Sequence, residues 1–376
     1  MSVTIGVLRE SAPQETRVSV VPEVAEKLAK EGARVLMEHG AGERARFPDS
    51  LYKSVAWAGS AGEVLQTADV VLTVQPLTVE QIGQLRAGAV VVGFMQPYAR
   101  KTEVRALAAR GVTSFAMELV PRISRAQSMD ALSSQAAIAG YKAVLIAADR
   151  LQKFLPMLTT AAGTVRPAQV LIIGAGVAGL QAIATARRLG AVVEAYDVRS
   201  ATREQVRSLG AKFVDTGVSA EGAGGYAREL TAEEKAKQQE VLDARIAAAD
   251  AVITTASVPG RPAPKIISRA TVERMRSGSV VVDIAAEQGG NCELTRQGET
   301  VEHQGVLIIG PVNLAAALAY NASEMYARNL FNFLKPALVK GELAIDWNDE
   351  VFAQSCLTAG GAVKHEPTAK MLEGAT

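Results

Sequence analysis

A glycine-rich turn between an apolar run and a helix is the pattern in this sequence best suited to chemistry. Val170–Ile173 is short and apolar, and Gly174, Gly176 and Gly179 follow it at once. In such a unit the first glycine permits a tight turn, the second lets a pyrophosphate approach the backbone, and the third lets the helix pack on the strand. The free N–H groups and positive dipole end of the helix then favour phosphate. The spacing predicts a dinucleotide site.

Asp197 ends the next predicted strand, close to the spacing of roughly 20 residues at which an acid reaches the adenosine ribose hydroxyls. A lone glycine pattern can be architectural, but strand, glycines, helix, strand and acid in register favour a nucleotide site. The carboxylate favours NAD(H), since it would repel the 2′-phosphate of NADP(H). Arg199 leaves two interpretations open: it contacts the cofactor, or it pairs with Asp197.

A second group of polar side chains lies just before a predicted helix and contains Arg122, Arg125, Gln127, Ser128 and Asp130. In one interpretation Asp130 or Ser128 is the N-cap of that helix and the arginines are solvated. In the other, these side chains grip a nicotinamide carboxamide and ribose. The sequence leaves both open.

Two further segments each have two interpretations. Tyr226 lies in a glycine-rich, charged stretch from Gly222 to Glu240, and is either part of a closing lid or a surface aromatic. Asp283–Cys292 follows a buried strand with two carboxylates and a glycine pair. It forms either a plain turn or a wall of the cofactor crevice.

Composition limits the class of protein. The 376 residues are 48% hydrophobic and 21% charged with a net charge of +1, which fits two soluble domains and gives no sign of nucleic acid as a partner. Two cysteines outside any metal or CxxC pattern fit a reducing cytosol. The three histidines have no metal-ligand spacing, so no metal site is expected. We expect no signal peptide and no run of about 20 apolar residues that could span a bilayer.

Repeated alternation of strands and helices predicts an α/β fold with two doubly wound parallel-sheet domains separated by a cleft. The expected first domain is discontinuous, 1–133 plus 312–376, and the second, 134–311, is the Rossmann dinucleotide-binding domain. A long small-residue helix is expected over 131–154. Helical segments are also expected near Pro48–Trp57 and over Ala315–Phe333, with a terminal hairpin formed by 344–346 and 351–352.

The sequence has no evident acid–base pair, which bears on mechanism. Oxidising an alcohol or an amino acid with NAD also moves a proton, so such enzymes place a base or a metal beside the substrate. Hydride transfer between two nicotinamide rings releases no proton at the reacting carbons, and it needs close approach, orientation and exclusion of water. The sequence favours the second chemistry.

Nearly the whole chain resembles the soluble NAD(H)-binding component (domain I, the alpha or alpha-1 subunit) of proton-translocating NAD(P) transhydrogenase. The likeness is most specific in MELVPRISRAQSMDALSSQ (117–135), TTAAGTVRPAQVLIIGAGVAGLQAIATARRLGA (159–191), DVRSATREQVRSLGAKF (197–213), AGGYARE (223–229), TTASVPGRPAP (254–264) and AAEQGGNC (285–292).

The resemblance also implies roles for individual residues. The implied groups are Arg122, Gln127, Asp130 and Ser133 at the nicotinamide; Gly174, Gly176, Val177 and Gly179 at the pyrophosphate; Asp197, Val198 and Arg199 at the adenosine ribose; Gly225 and Tyr226 in a mobile loop; and Gln238 and Ser257 lining the nucleotide. Relatives carry an aliphatic residue at position 257, so the resemblance implies no role for the side chain of Ser257.

By the same resemblance, the partners are an NADP(H)-binding beta subunit and a membrane-spanning proton-channel subunit, and the component is a homodimer. NAD(H) would bind this chain and NADP(H) the partner. The chain would lie at the cytoplasmic face of the cell membrane without inserting into it.

The chain also resembles alanine dehydrogenase, which uses a lysine and a histidine to hold pyruvate and move protons. Gln75 and Gln96 stand at those positions here. Because glutamine cannot serve as a proton carrier near neutral pH, amino-acid oxidation is disfavoured. Arg17, which would grip a substrate carboxylate, is retained and has either that role or a structural one. A non-enzymatic NAD-sensing module is a third hypothesis.

Overall fold

A computed structural model describes residues 2–218, 231–257 and 260–374. The contacts divide the chain into two compact units, Met1–Gln135 with Ala316–Thr376 (unit 1) and Ala136–Ala315 (unit 2). Both units combine a large, mainly parallel sheet with helices, so the predicted α/β fold is confirmed. The expected domain boundaries after residues 133 and 311 stay predictions.

The strands and helices are numbered in chain order. The strands are β1 Thr4–Val7, β2 Arg34–Glu38, β3 Val55–Ala58, β4 Val70–Leu72, β5 Val90–Gly93, β6 Thr113–Ala116, β7 Leu158–Thr160, β8 Gly163–Val165, β9 Gln169–Ile173, β10 Val192–Tyr196, β11 Lys212–Phe213, β12 Ala251–Thr254, β13 Val280–Asp283, β14 Thr300–His303, β15 Val306–Ile309, β16 Leu338–Val339, β17 Glu342–Leu343, β18 Cys356–Ala359 and β19 Ala362–Val363. The α-helices are α1 Pro22–Lys30, α2 Ala61–Thr67, α3 Val79–Gln84, α4 Lys101–Ala109, α5 Ala131–Arg150, α6 Val177–Arg188, α7 Arg203–Ser208, α8 Ala232–Ala248, α9 Arg269–Glu273, α10 Ala319–Leu334, α11 Glu350–Ser355 and α12 Glu366–Glu373.

Unit 1 contains an eight-stranded sheet in the order β19-β18-β6-β5-β4-β1-β2-β3. Strands β1 to β6 pair in parallel, in the doubly wound order 3-2-1-4-5-6. The last two strands pair antiparallel, β18 with β6 and β19 with β18. The sheet is therefore mixed, whereas the prediction was a parallel sheet. Its helices start at clear signals: Pro22 opens α1, and Thr78 with Gln81 forms a capping box on α3.

Unit 2 contains a seven-stranded sheet in the order β11-β10-β9-β12-β13-β15-β14. The strand order reverses between β9 and β12, and ligands of open α/β sheets bind at such a switch point. Strands β9, β12 and β13 are short apolar runs buried on both faces, as parallel strands covered by helices require. Among the described strands of this sheet, only β14 pairs antiparallel, with β15, and β7 with β8 forms a separate hairpin.

Two local predictions are wrong. The segment predicted to be helical near Pro48–Trp57 has only a 3₁₀ turn, Asp49–Leu51, followed by β3, which pairs with β2. The expected terminal hairpin is absent, because Val351 and Phe352 lie in α11. Asp349 caps that helix by accepting a hydrogen bond from the N–H of Val351 at 2.8 Å. The hairpins there are β16–β17 and β18–β19.

Helix α5 ends at Arg150, four residues before its predicted end. By length and composition alone it could cross a membrane, contrary to our expectation that no segment would qualify. Its apolar character has another source, because Ala143, Val144 and Ala147 pack in a core of unit 2. A core helix of a soluble protein passes the same test, so the finding is weak evidence for a span.

Candidate functional site

The glycine turn of unit 2 joins β9 to α6, and close packing accounts for two of its glycines. Gly174 has a φ of 96°, which L side chains rarely adopt, and a Cβ there would also meet the hydroxyl of Thr255. A Cβ on Gly179 would overlap the carbonyl oxygen of Gly174. These two positions therefore admit only glycine for reasons of packing.

Gly176 differs from its neighbours in the turn. A Cβ there would meet no atom closer than a terminal nitrogen of Arg199, 4.0 Å away. Gly176 is also the N-cap of α6, and no described side chain caps this end of the helix. The approach to the backbone is open and the first N–H groups of α6 are available, which fits a pyrophosphate.

Asp197 follows β10 and is buried beside this turn. Its Oδ2 accepts from the N–H of Ala175 at 2.7 Å. Arg199 donates from its own N–H and its Nε to Oδ1, and from a terminal nitrogen to Oδ2, at 2.8 to 2.9 Å. Burial opposes ionisation, but the bonds from Arg199 and Ala175 outweigh it and hold the pKa of Asp197 below its ordinary value. Of the two interpretations of Arg199, the pair with Asp197 is the one that this structure contains.

The Asp197 carboxylate thus receives four donors, about as many as its lone pairs accept. A ribose hydroxyl could bind Asp197 only by replacing one of them. The most readily displaced is the guanidinium of Arg199, since 58% of that side chain is exposed. In this structure the carboxylate of Asp197 is held by Ala175 and Arg199, and the more exposed of these partners is Arg199.

The remaining residues predicted to bind the nucleotide differ in exposure and in their contacts. Val177 and Val198 are exposed beside it. Gln238, on α8, hydrogen-bonds the phenol of Tyr196, the residue before Asp197, and burial raises the pKa of Tyr196 to about 12. Ser257 is exposed in the segment after β12. Gly225 and Tyr226 lie outside the described residues.

Sequence reasoning missed Thr255 and Asn291. The hydroxyl of Thr255 donates to the carbonyl oxygen of Gly174 at 3.1 Å, which ties the end of β12 to the glycine turn. Asn291 is fully buried and holds Ala256 twice: it accepts from the N–H at 3.1 Å and donates to the carbonyl oxygen at 2.8 Å. The sequence did contain one indication for Thr255: it directly follows β12, which lies next to β9 at the switch point where ligands bind.

The segment after β13 forms a turn, as the plainer interpretation proposed. Asp283 is fully buried and accepts from three backbone N–H groups and from the hydroxyls of Thr254 and Thr295, at 2.6 to 3.1 Å. With five donors, this carboxylate is an anchor for the loop that carries Asn291.

In unit 1, the loop before α5 presents Arg122 and Gln127 to solvent, and neither side chain has a partner among the described residues. Asp130 caps α5, because its carboxylate accepts from the N–H of Ser133 at 2.9 Å and from its hydroxyl at 2.6 Å. Arg125 pairs with Asp349 and Glu350. Of the four residues predicted at the nicotinamide, Arg122 and Gln127 are therefore accessible to a ligand. The other two, Asp130 and Ser133, hydrogen-bond to each other.

Arg17 lies in a buried polar network. Its Nε and one terminal nitrogen donate to the two oxygens of Glu15 at 2.8 and 2.6 Å, and its other terminal nitrogen donates to Gln135 at 2.8 Å. Burial opposes ionisation of Glu15, but Arg17 lowers its pKa to about 2. All three side chains are buried. All three nitrogens of the guanidinium donate within the protein, which favours the structural role for Arg17.

Gln75 and Gln96 extend this network. The amide of Gln75 donates to Glu15 at 2.7 Å, and that of Gln96 donates to Gln75 at 2.9 Å. Gln96 has a left-handed backbone, with φ 46°, and its N–H donates to Glu118 at 2.8 Å. A side-chain amide does not take up or release a proton near neutral pH, so neither glutamine can act as the acid or base of a reaction.

Comparison with known proteins places these two units in one family. The family descriptions "Alanine dehydrogenase/PNT, N-terminal domain" and "Alanine dehydrogenase/PNT, C-terminal domain" match residues 6–139 and 143–366. The chain belongs to the alanine dehydrogenase/PNT family.

Within this family, the chain is more similar in sequence to the transhydrogenase subunits than to the alanine dehydrogenases that it matches. The chain is 45% identical to the first part of NAD(P) transhydrogenase subunit alpha of Rhodospirillum rubrum, over 96% of this chain and 97% of that protein. It is 31% identical to alanine dehydrogenase of Mycobacterium tuberculosis, over 78% and 75% of the two chains. The crystal structure of transhydrogenase from Sinorhizobium meliloti matches with a TM-score of 0.87 and 48% identity, over 96% of this chain and 99% of that chain.

Proposed function

We propose that this chain is the NAD(H)-binding component of a proton-translocating transhydrogenase. NADH would bind at the glycine turn of unit 2, with its pyrophosphate on the N-terminus of α6 and its adenosine ribose on Asp197. When bound, the reduced nicotinamide supplies a hydride, which passes directly to NADP⁺ held by a partner subunit. NADH becomes NAD⁺ and NADP⁺ becomes NADPH, so no proton is released at the reacting carbons.

Each part of the chain has its own task in this proposal. The open backbone at Gly176 binds phosphate. Arg122 and Gln127 are exposed and able to orient the nicotinamide, while Asp130 and Ser133 fix the start of the helix behind them. Orientation and exclusion of water are what direct hydride transfer requires from a protein.

The hydrogen-bonded pair Gln75–Gln96 is the observation that favours this function over alanine oxidation. Oxidising alanine requires a group that takes up a proton, and these amides cannot do so. Arg17 directs its Nε and one terminal nitrogen to the two oxygens of Glu15, so the edge that would make a side-on pair with a substrate carboxylate is occupied by Glu15. The closer identity to transhydrogenase subunits supports the same choice.

The partners follow from the same proposal: an NADP(H)-binding subunit, a membrane-spanning subunit that carries protons, and a second copy of this chain. The chain would lie at the cytoplasmic face of the membrane through these contacts.

The test is transfer of a labelled hydride. The full chain is mixed with an NADP(H)-binding subunit, NADP⁺ and NADH deuterated at the transferred position, and NADPH is analysed by mass spectrometry. Direct transfer places the deuterium in NADPH. Binding of NADH without transfer would support a sensing module instead, and formation of NADH from L-alanine and NAD⁺ by the chain alone would support a dehydrogenase.

A further inference from the structure

One buried amide in unit 1 holds both sides of the loop that precedes α5. Asn329, on α10, donates from Nδ2 to the carbonyl oxygen of Ser128 at 2.9 Å. Its Oδ1 accepts from the hydroxyl of Ser134 at 2.7 Å. Ser128 follows Gln127, and Ser134 follows Ser133, so the two bonds enclose the segment that contains Asp130.

The orientation of this amide is determined by its neighbours. The carbonyl oxygen of Ser128 can only accept, so the NH₂ group of Asn329 must face it. The carbonyl end then faces Ser134, whose hydroxyl lies 2.7 Å from Oδ1 of Asn329 and, at the longer distance of 3.1 Å, also faces the carbonyl oxygen of Ala131. The amide of Gln135 in turn donates to that hydroxyl at 3.2 Å. Both ends of Asn329 are therefore satisfied in one orientation only.

The rest of the contact is apolar and fixes the same segment. Ala126 and Met129 belong to the core that contains Leu330 and Phe333 of α10. Asn329 is itself buried, since only 7% of its surface is exposed. A buried hydrogen bond gains strength from the low local dielectric, and an unpaired partner there is costly.

We propose that Asn329 is a positioning residue for hydride transfer. It holds the backbone on either side of Asp130, so that Gln127 is presented at a fixed distance from Ser133. This inference rests on the proposed function, in which that segment orients the nicotinamide. Asn329 does not touch the cofactor, and it acts through Ser128 and Ser134.

The test compares three variants in the full chain mixed with an NADP(H)-binding subunit. Asn329→Asp keeps the size of the side chain but replaces the shorter of two donors to the carbonyl of Ser128 with an oxygen, and leaves the second donor, Asn332 at 3.2 Å, in place. Ser134→Ala removes the second bond and leaves the first. Asn321→Ala is the matched control, since Asn321 lies on the same helix, is exposed, and bonds only Glu324 among the described residues.

We expect Asn329→Asp to slow single-turnover hydride transfer by about tenfold or more, because small displacements of reacting groups cost orders of magnitude in rate. The dissociation constant for NADH should change by less than about twofold, since the phosphate and ribose sites lie in unit 2. The primary deuterium isotope effect should persist in the slowed reaction. Ser134→Ala should show the same pattern with a smaller loss, and Asn321→Ala should match the parent chain.

Three outcomes would overturn the inference: a transfer rate within about twofold of the parent, an NADH affinity that falls as much as the rate, or a loss of the isotope effect. If Asn329→Asp does not fold, Ser134→Ala decides by the same criteria. An inactive parent chain would instead count against the proposed function, so the two failures are distinguishable.

Discussion

Arg199 holds Asp197 with two parallel hydrogen bonds, from Nε to Oδ1 and from a terminal nitrogen to Oδ2, both at 2.9 Å. The same carboxylate reaches back to the glycine turn through the N–H of Ala175. A residue assigned to the ribose is therefore also a component of the scaffold of the phosphate site. A change at Asp197 should alter both selectivity and the geometry of the turn.

We predict that Asp197→Asn weakens NADH binding by about tenfold, since a good ribose acceptor is lost, and narrows the preference over NADPH. The freed Arg199 then becomes available to the 2′-phosphate of NADPH. Titration of both nucleotides by calorimetry measures the change. Adding Arg199→Ala to the variant should remove any gain for NADPH, and unchanged selectivity in Asp197→Asn would contradict the ribose assignment.

Gly179→Ala should destabilise unit 2 and abolish nucleotide binding, because its Cβ would overlap the carbonyl oxygen of Gly174 and that backbone cannot move without opening the turn. Gly83→Ala is the matched control. Gly83 lies within α3 with open space around it, so alanine there should stabilise by about 0.5 to 1 kcal/mol. Thermal unfolding and NADH binding distinguish the two, and a Gly179→Ala variant that binds normally would refute the packing argument.

Arg17→Met should reduce the free energy of unfolding by about 3 to 5 kcal/mol, because it leaves Glu15 charged and buried without its partner. The double variant Arg17→Met, Glu15→Gln should recover most of that loss. Denaturant unfolding of the parent, both single variants and the double variant measures the coupling. If Arg17 were instead a free ligand site, its replacement alone would cost little stability.

Glu10 should make the free energy of unfolding decrease as pH rises from 4.5 to 7. Burial raises the pKa of this carboxyl from 4.5 to about 7, so the folded state binds a proton that the unfolded state releases in that range. Glu10→Gln should flatten this slope in urea unfolding measured across the interval. Some slope will stay, since burial also raises the pKa of Glu118. An unaltered slope in Glu10→Gln would show that Glu10 is ionised in the folded protein at lower pH.

The main elements of the nucleotide unit were predictable from sequence because each is specified by local rules. Short apolar runs, a glycine spacing and helix signals give β9, α6 and β10 almost to the residue. The error near Pro48 arose because proline also starts a single 3₁₀ turn, and only pairing with β2 reveals β3. Val351 and Phe352 are equally compatible with a strand or with one apolar face of a short helix.

The polar contacts of the site were less predictable, since they join residues far apart in sequence. The bond from Asn329 to Ser128 and the hold of Asn291 on Ala256 depend on how helices and strands pack. The sequence also left the choice open for Arg199, because pairing with a neighbouring acid and contact with a ligand use the same side chain. The residues around 225–226 lie outside the described structure, so their role stays a prediction.

The antiparallel pairing of β18 with β6 joins residues 114 and 358 in one sheet. Unit 2 is one continuous stretch of the sequence, Ala136–Ala315, and all of it comes after residue 114 and before residue 358 in the chain. During synthesis on the ribosome, which proceeds from the N-terminus, every residue of unit 2 emerges before β18 and β19 of unit 1 have been made. The nucleotide-binding sheet is therefore the first that can be completed, while the sheet begun by the N-terminal strands stays unfinished until the C-terminal residues leave the ribosome.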